Sequence, residues 1–230
     1  MKGVFVTGTD TGVGKTVVSA AIIKAFLKKG MSIGAMKPVE TGCDEVNGSL
    51  IPSDGMFLRE MAGMDDSIDV VVPSLYKNPL APMVAAALEN RHFDIEKILH
   101  AYRTLSLKYE FMVVEGAGGL LVPINKKYFI LDLIKSLALP VVVVARASLG
   151  TINHTLLTVK QALNEGLDVK GVIINNHCQP EDSIAAKTNP DVLRELCPVP
   201  VLGILPYLEN VTTDAIEWNS GFVDIEKITG

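Results

Sequence analysis

Short apolar runs punctuate the chain at fairly even intervals. VFVTG (4–8), SIGAMKPV (32–39), FMVVEG (111–116), PVVVVA (140–145), GVIINN (171–176) and VLGILP (201–206) are rich in valine or isoleucine and lack polar alternation. Strands buried on both faces have this pattern, so these segments are expected as central strands of a parallel sheet. Helical periods fall between them. Residues 15–29 place Val18, Ile22, Ala25 and Phe26 on one side, and Gly30 stops the helix. Further helices are expected over 81–90, opened by Pro82, over 94–107, capped by Asp94, and over 129–137, 152–165 and 189–196. Strands alternating with helices predict an α/β fold, a doubly wound and mostly parallel sheet flanked by helices through right-handed crossovers. Ligands then gather at the carboxyl ends of the strands. The stretch 40–80 is the least regular and is expected as a loop-rich insertion with one helix near 53–62. There is no repeat, low-complexity tract or linker, so residues 1–230 are expected to form one domain.

Composition narrows the classes. Of the 230 residues 48% are hydrophobic and 20% charged, which excludes global disorder. A globule of this length buries roughly 70% of the surface its unfolded chain exposes and needs no staple. Mean hydropathy is +0.32, yet the longest apolar run, LALPVVVVA at 137–145, ends at Arg146. It falls well short of the ~20 residues that span a bilayer. The start, MKGVFVTGTD, is not expected to be a secretory signal. The net charge of −5 gives no bulk attraction for nucleic acid or acidic membranes, so a bound anion needs a local site. Cys43, Cys178 and Cys197 form no CxxC pair. Neither a disulfide framework nor a zinc site is expected, and a reducing cytoplasm is the natural compartment. His92, His100 and His177 show no ligand spacing.

The first strand runs into GTDTGVGKT (8–16), followed by a strong helix. Backbone N–H groups at a helix N-terminus make an anion cradle, here over Gly12, Val13, Gly14, Lys15, Thr16 and Val17. Lys15 is placed to reach β- and γ-phosphates, and the Thr16 hydroxyl to ligate Mg²⁺. The loop is a variant of GxxxxGK[ST], because the first glycine expected at position 9 is Thr9 and Gly8 stands one residue early. A dinucleotide GxGxxG fits worse, since GVGKTV from Gly12 lacks a third glycine. The fold is therefore expected to be of the P-loop NTPase type.

A triphosphate calls for a metal and acids to hold it. Mg²⁺ takes one or two carboxylates with phosphate oxygens and water. Glu115, at the end of FMVVE, has the placement of such an acid. Gly116, Ala117, Gly118 and Gly119 follow it, and a close backbone approach to a ligand is the favoured reading over a tight turn. Asp54 opens the 53–62 helix, where spacing alone favours a simple interaction with the helix dipole. Lys37 near the end of a buried strand has two readings of equal standing. One is a second ammonium for transferring phosphoryl charge; the other is a lysine snorkelling at a strand end.

FVTGTDTGVGKT (5–16), KPVETG (37–42), SD (53–54), VVEGAGGLLVP (113–123), LGTINHTLLT (149–158), GVIINN (171–176) and LGILPYL (202–208) together resemble the dethiobiotin synthetase family, in the family's order and over most of the chain. The resemblance implies an ATP- and Mg²⁺-dependent ligase that closes a cyclic urea from 7,8-diaminononanoate and CO₂ in biotin synthesis. The implied route runs through a carbamate and a carbamic–phosphoric anhydride. Residue by residue, it implies Thr16, Asp54 and Glu115 at Mg²⁺, which reverses the dipole reading of Asp54. It implies Lys15 and Lys37 on carbamate and phosphoryl charge, with Thr11 beside the reacting groups. It places Thr41 against the diamine and Gly116, Ala117 and Gly118 at the border of nucleotide and substrate. Gly150, Thr151 and Asn153 are implied to receive the substrate carboxylate across a homodimer interface; helix capping is the plain alternative for Thr151 and Asn153. Asn175 offers a donor and an acceptor to adenine, with Asn176 and the backbone of Ile204, Leu205 and Pro206 completing that pocket. The chain departs from the family's pattern in having Gly12 where an acid is frequent, Thr41 where serine is common, and Asn176 for an aspartate seen in some members.

Two other classes are weighed. A partitioning or site-selection ATPase carries an early loop lysine in a KGG-type signature, and this region reads GTDTG. Amidating synthetases with a similar core add a glutamine-hydrolysing domain, for which 230 residues leave no room.

Overall fold

The structure is a computed structural model that describes residues 3–176 and 183–229; His177 and Cys178 lie outside the described residues. Six strands form one parallel sheet. They are β1 (Gly3–Gly8), β2 (Ile33–Met36), β7 (Phe111–Gly119), β10 (Val141–Arg146), β11 (Val169–Asn175) and β12 (Val201–Leu205), in the order β12-β11-β10-β1-β7-β2. All five neighbouring pairs are parallel. The doubly wound expectation holds. Val4, Phe5 and Val6 of β1 and Val141 to Val144 of β10 are fully buried, which is why these runs show no polar alternation. The chain starts in the middle of the sheet, builds β7 and β2 on one side, and then β10, β11 and β12 on the other. The loop after β1 therefore opens where the strand order reverses, the place where such sheets leave a crevice.

The helices are α1 (Lys15–Lys28), α2 (Ser53–Ala62), α3 (Ile68–Val71), α4 (Pro82–Leu88), α5 (Ile95–Ser106), α6 (Ile130–Leu137), α7 (Thr151–Asn164), α8 (Ile184–Leu196), α9 (Thr213–Asn219) and α10 (Glu226–Thr229). Asp94 caps α5 by accepting the Lys97 N–H at 3.0 Å. Helix α1 is buried on more than the expected stripe, because α2 and α9 pack on it.

Three expectations need correction. Helix α8 begins at Ile184, not 189. Ser183 caps it by accepting the Ala186 N–H, and Pro190 lies inside the helix. The strand expected over 32–39 ends at Met36. Lys37 donates its N–H to Val71 O outside the sheet, and Pro38 has no N–H to continue a ladder. Glu115 does not close its strand, since β7 continues to Gly119. Val6 pairs with Glu115 and Gly8 with Gly119, so residues 116–118 bulge opposite Thr7 alone.

The 40–80 stretch holds more than one helix. β3 (Val39–Thr41) pairs in parallel with β6 (Ser74–Tyr76), and β4 (Asp44–Val46) forms a hairpin with β5 (Ser49–Ile51). A further small pair joins β8 (Pro123–Asn125) to β9 (Tyr128–Phe129). No helix among the described residues is long and apolar enough to cross a membrane.

Buried Asn189 ties α8 to the segment between β10 and α7, donating to Ala147 O at 2.9 Å and Ser148 O at 3.2 Å. Asn189→Ala leaves those carbonyls without these donors. It is expected to lower unfolding free energy by about 1–3 kcal/mol, read as a reduced urea midpoint with an unchanged m-value.

Candidate active site

The loop after β1 is shaped by its own backbone. Gly14 has φ +86°, and a Cβ there would lie 2.0 Å from Asn175 Nδ2. Only glycine accepts both the left-handed conformation and that contact. Gly14 is also the N-cap of α1, with no side-chain cap, so the first N–H groups of α1 remain free to receive an anion. Lys15 folds back over the loop, with Nζ 3.1 Å from Asp10 O. Arg146, at the end of β10, pins the loop from the side through Asp10 Oδ2 at 2.7 Å, while Asp10 Oδ1 accepts the Thr11 N–H.

A cleft of about 720 Å³ opens from this loop. Its walls include Thr11, Gly12, Gly14, Lys15, Thr16, Val17, Lys37, Thr41, Asp54, Glu115, Ala117 and Gly118, so most of the sequence-picked residues meet in one place. The segment Pro79–Pro82 forms the opposite wall. At the floor lies a charge cluster. Lys37 Nζ is 2.5 Å from Glu115 Oε1 and 2.9 Å from Asp54 Oδ2, and the Lys37 side chain is only 5% exposed. Thr16 donates to Glu115 Oε1 at 3.0 Å. Glu115 Oε2 is buried and has no hydrogen-bond partner among the described residues.

The electrostatics follow from burial and these pairs. Burial by itself would drive the proton off Lys37; Glu115, then Asp54, reverse that and hold its pKa above the ordinary lysine value. Burial also works against charge on Asp54, but Lys37 outweighs it and keeps Asp54 below the usual aspartate value. Lys15 lacks a comparable carboxylate partner. Burial lowers its pKa to about 8, with Glu115 opposing and Lys37 adding to the fall. The floor therefore carries one fixed ammonium and one easily shifted one.

The family-model comparison matches residues 2–215 to an AAA domain. The ATP-dependent dethiobiotin synthetase BioD of Thermodesulfovibrio yellowstonii is 53% identical over 221 residues, covering 93% of this chain and 92% of that protein. The proteins of the same name from Bacillus subtilis strain 168 and Methanocaldococcus jannaschii are 41% and 40% identical, over 94% and 92% of this chain and 92% and 97% of their own. The chain belongs to the ATP-dependent dethiobiotin synthetase family. Among solved structures it is similar to the Aquifex aeolicus MinD cell division protein, with a TM-score of 0.54, 16% identity and coverage of 100% of this chain and 94% of that one. It is also similar to the septum site-determining protein MinD of Pyrococcus horikoshii, with a TM-score of 0.53, 17% identity and coverage of 98% and 88%. At that identity the likeness is one of fold.

Several residues picked from dethiobiotin synthetase resemblance lie off the cleft walls. Val13 is buried, and its carbonyl accepts Asn175 Nδ2 at 3.1 Å. One of the two N–H donors of the amide expected at adenine is thus already used on the loop. Asn176 points its backbone N–H and Nδ2 at Leu205 O, bracing the ends of β11 and β12 beside Ile204 and Pro206. Gly116 does not line the cleft; a Cβ there would lie 2.7 Å from the Phe5 ring, so this glycine makes room for the core. Gly150, Thr151 and Asn153 stand at the start of α7 and are not among the residues that line the P-loop cleft. Thr151 is buried, with its hydroxyl 3.4 Å from Thr155 Oγ1, whereas Asn153 is exposed.

Sequence reasoning misses three residues of this synthetase-family site. Asp10 and its partner Arg146 read only as a loop position and the end of an apolar run. Glu40 reads only as a letter of KPVETG, yet it is 6% exposed and accepts the Asp54 and Gly55 N–H groups at 3.0 and 2.9 Å. The available signal was an acid directly after the apolar run that ends at Val39.

Cys43, close to this wall, is 4% exposed, and burial together with Glu40 pushes its thiol up to about 11. At pH 8 roughly one thiol in a thousand is then the reactive thiolate. Iodoacetamide labelling of the Cys43 peptide, followed by mass spectrometry, is expected to be negligible in folded protein and complete in urea.

Proposed function

We propose that this chain, as one P-loop α/β unit, forms the ureido ring of dethiobiotin from 7,8-diaminononanoate and CO₂ with ATP, releasing ADP and phosphate, in biotin biosynthesis. One observation carries the reading: a buried lysine from outside the P-loop, Lys37, meets the floor acids beside Thr16. Two ammonium groups thereby face one cleft, with a cradle for phosphates at its edge.

The first substrate amine captures CO₂ as a carbamate. A carbamate oxygen then takes the γ-phosphoryl group of ATP, giving a carbamic–phosphoric anhydride. The second amine attacks the carbonyl carbon, phosphate leaves with the bonding electrons, and the ring closes. Each anionic stage needs fixed positive charge rather than a strong base. The free N–H groups of α1 and Lys15 hold the phosphates, and Lys37 faces carbamate and transferring phosphoryl charge. Lys15, titrating near 8, becomes fully charged when phosphate oxygens approach. Thr11 lies beside the reacting groups, Thr41 meets the diamine, and Ala117 and Gly118 border both nucleotide and substrate. Asn175 through its amide oxygen, Asn176 and the backbone at Ile204, Leu205 and Pro206 take the adenine.

The residues present fit Mg²⁺. Glu115 Oε2 has no hydrogen-bond partner among the described residues, Thr16 bonds Glu115 directly, and Asp54 stands across Lys37 from it. Among the described residues no three His, Cys, Asp or Glu side chains form a metal site by themselves. Mg²⁺ needs no such site, since phosphate oxygens and water complete its shell. Thr16, Asp54 and Glu115 would hold it, and bound there it would neutralise phosphate charge.

The start of α7 serves the substrate carboxylate of a second protomer in a homodimer. Gly150, Thr151 and exposed Asn153 do not line their own cleft and stand at a helix N-terminus that suits an anion. Sedimentation at working concentration is expected to give twice the chain mass; a monomer would end this part of the reading. The reaction itself is tested by phosphate release with diamine and bicarbonate, omitting each in turn. Release is expected to need both, and turnover without the diamine would count for a switch ATPase instead. Lys37→Ala is expected to lower kcat by about 10²–10³-fold with nucleotide affinity nearly intact, as measured by stopped assay and calorimetry.

A further inference from the structure

Helix α2 begins without a local cap. Pro52 occupies the N-cap position and has no side-chain acceptor for the free N–H groups of the first turn. The acceptor comes from another element. Glu40, in the middle of β3, reaches the helix start with both oxygens: Oε1 accepts the Asp54 N–H at 3.0 Å and Oε2 accepts the Gly55 N–H at 2.9 Å. Gly55 lets the helix start pack against Val72, whose Cγ2 would lie 2.0 Å from a Cβ there. A buried carboxylate is a costly choice for capping a helix where a serine at position 52 would serve. What the remote cap adds is a connection. The segments 37–40 and 54–55 are tied twice, by Lys37 to Asp54 at 2.9 Å and by Glu40 to the two N–H groups. The Asp54 carboxylate is thereby held at its backbone as well as at its tip.

We propose that Glu40 is a positioning residue that fixes the first turn of α2 and so aims the Asp54 carboxylate at the floor of the P-loop cleft. Glu40 lines the same cleft but lies at its α2 side, and it acts through Asp54 rather than on a reacting atom. The inference rests on the reading of Asp54 as a Mg²⁺ ligand. Groups that orient a metal ligand typically change metal affinity by about 10–100-fold when removed. Fold stability and cation affinity therefore separate the roles.

The test uses full-length wild type, Glu40→Ala, Glu40→Gln and Asp54→Asn, without diamine. Fluorescent ATP binding is followed by anisotropy, first in chelator and then through a Mg²⁺ titration, with circular-dichroism melts in parallel. In Glu40→Ala the half-saturating Mg²⁺ concentration is expected to rise roughly tenfold or more, with affinity in chelator unchanged. Glu40→Gln keeps the shape but turns an amide donor toward one of the two N–H groups, so a smaller rise is expected. It decides the matter should the alanine variant fail to fold. Lower melting temperatures with wild-type Mg²⁺ dependence, alongside a shifted Asp54→Asn, would overturn the role of Glu40 and leave the metal reading standing. An unshifted Asp54→Asn would remove the metal reading and this inference together.

Discussion

A single buried ammonium organises the site. Moving the Lys37 charge out of water costs several kcal/mol, and only well-placed opposite charge offsets it. Glu115 and Asp54 provide that charge at 2.5 and 2.9 Å. These residues come from three places: the end of β2, the first turn of α2 and the middle of β7. Their convergence requires the strand order that sets β2 beside β7 and the insertion that carries α2 back over the strand ends. The Glu40 cap on α2 and the extended course of β7 past Glu115 belong to the same requirement, because each fixes where a carboxylate stands.

The opposite side of the cleft is governed by backbone rather than by charge pairs. Helix α1 starts at a left-handed glycine with its N–H groups open, and Asn175 and Arg146 hold the preceding loop from two neighbouring strands. An anion placed there meets oriented dipoles and Lys15, a cation that burial has loosened toward neutrality. The open helix start follows from the left-handed Gly14 at its N-cap, which brings no side-chain cap. Lys37 with its two acids sets a second, buried cation on the floor of the same cleft.

Much of the architecture was legible because its signals are local. Valine-rich runs such as 140–145 are buried on both faces, and Asp94 caps α5 from the adjacent position. Where the reading failed, a distant partner had decided. The 189–196 helix extends back to Ile184 because Ser183 caps it ahead of Pro190, and the SIGAMKPV strand stops at Met36 because Lys37 turns to Val71. Gly116 looked like a ligand glycine by its place after Glu115, but the Phe5 ring claims its space. Glu40 stood out locally only as an acid after a valine, and its role was not legible because its partners lie 14 and 15 residues away.

By itself the sequence determined the parallel α/β framework, the phosphate loop and the residue types of the chemistry. Periodicity, glycine placement and the Lys-Thr pair act within a few residues of one another. Only the tertiary structure decided that Lys37 is a paired, charged lysine rather than one snorkelling to solvent, and that Asn175 braces the loop with its donor. The reason is physical: a side chain's charge state and free hydrogen-bonding groups depend on what burial removes and which neighbours remain, and those neighbours come from strands far apart in the chain.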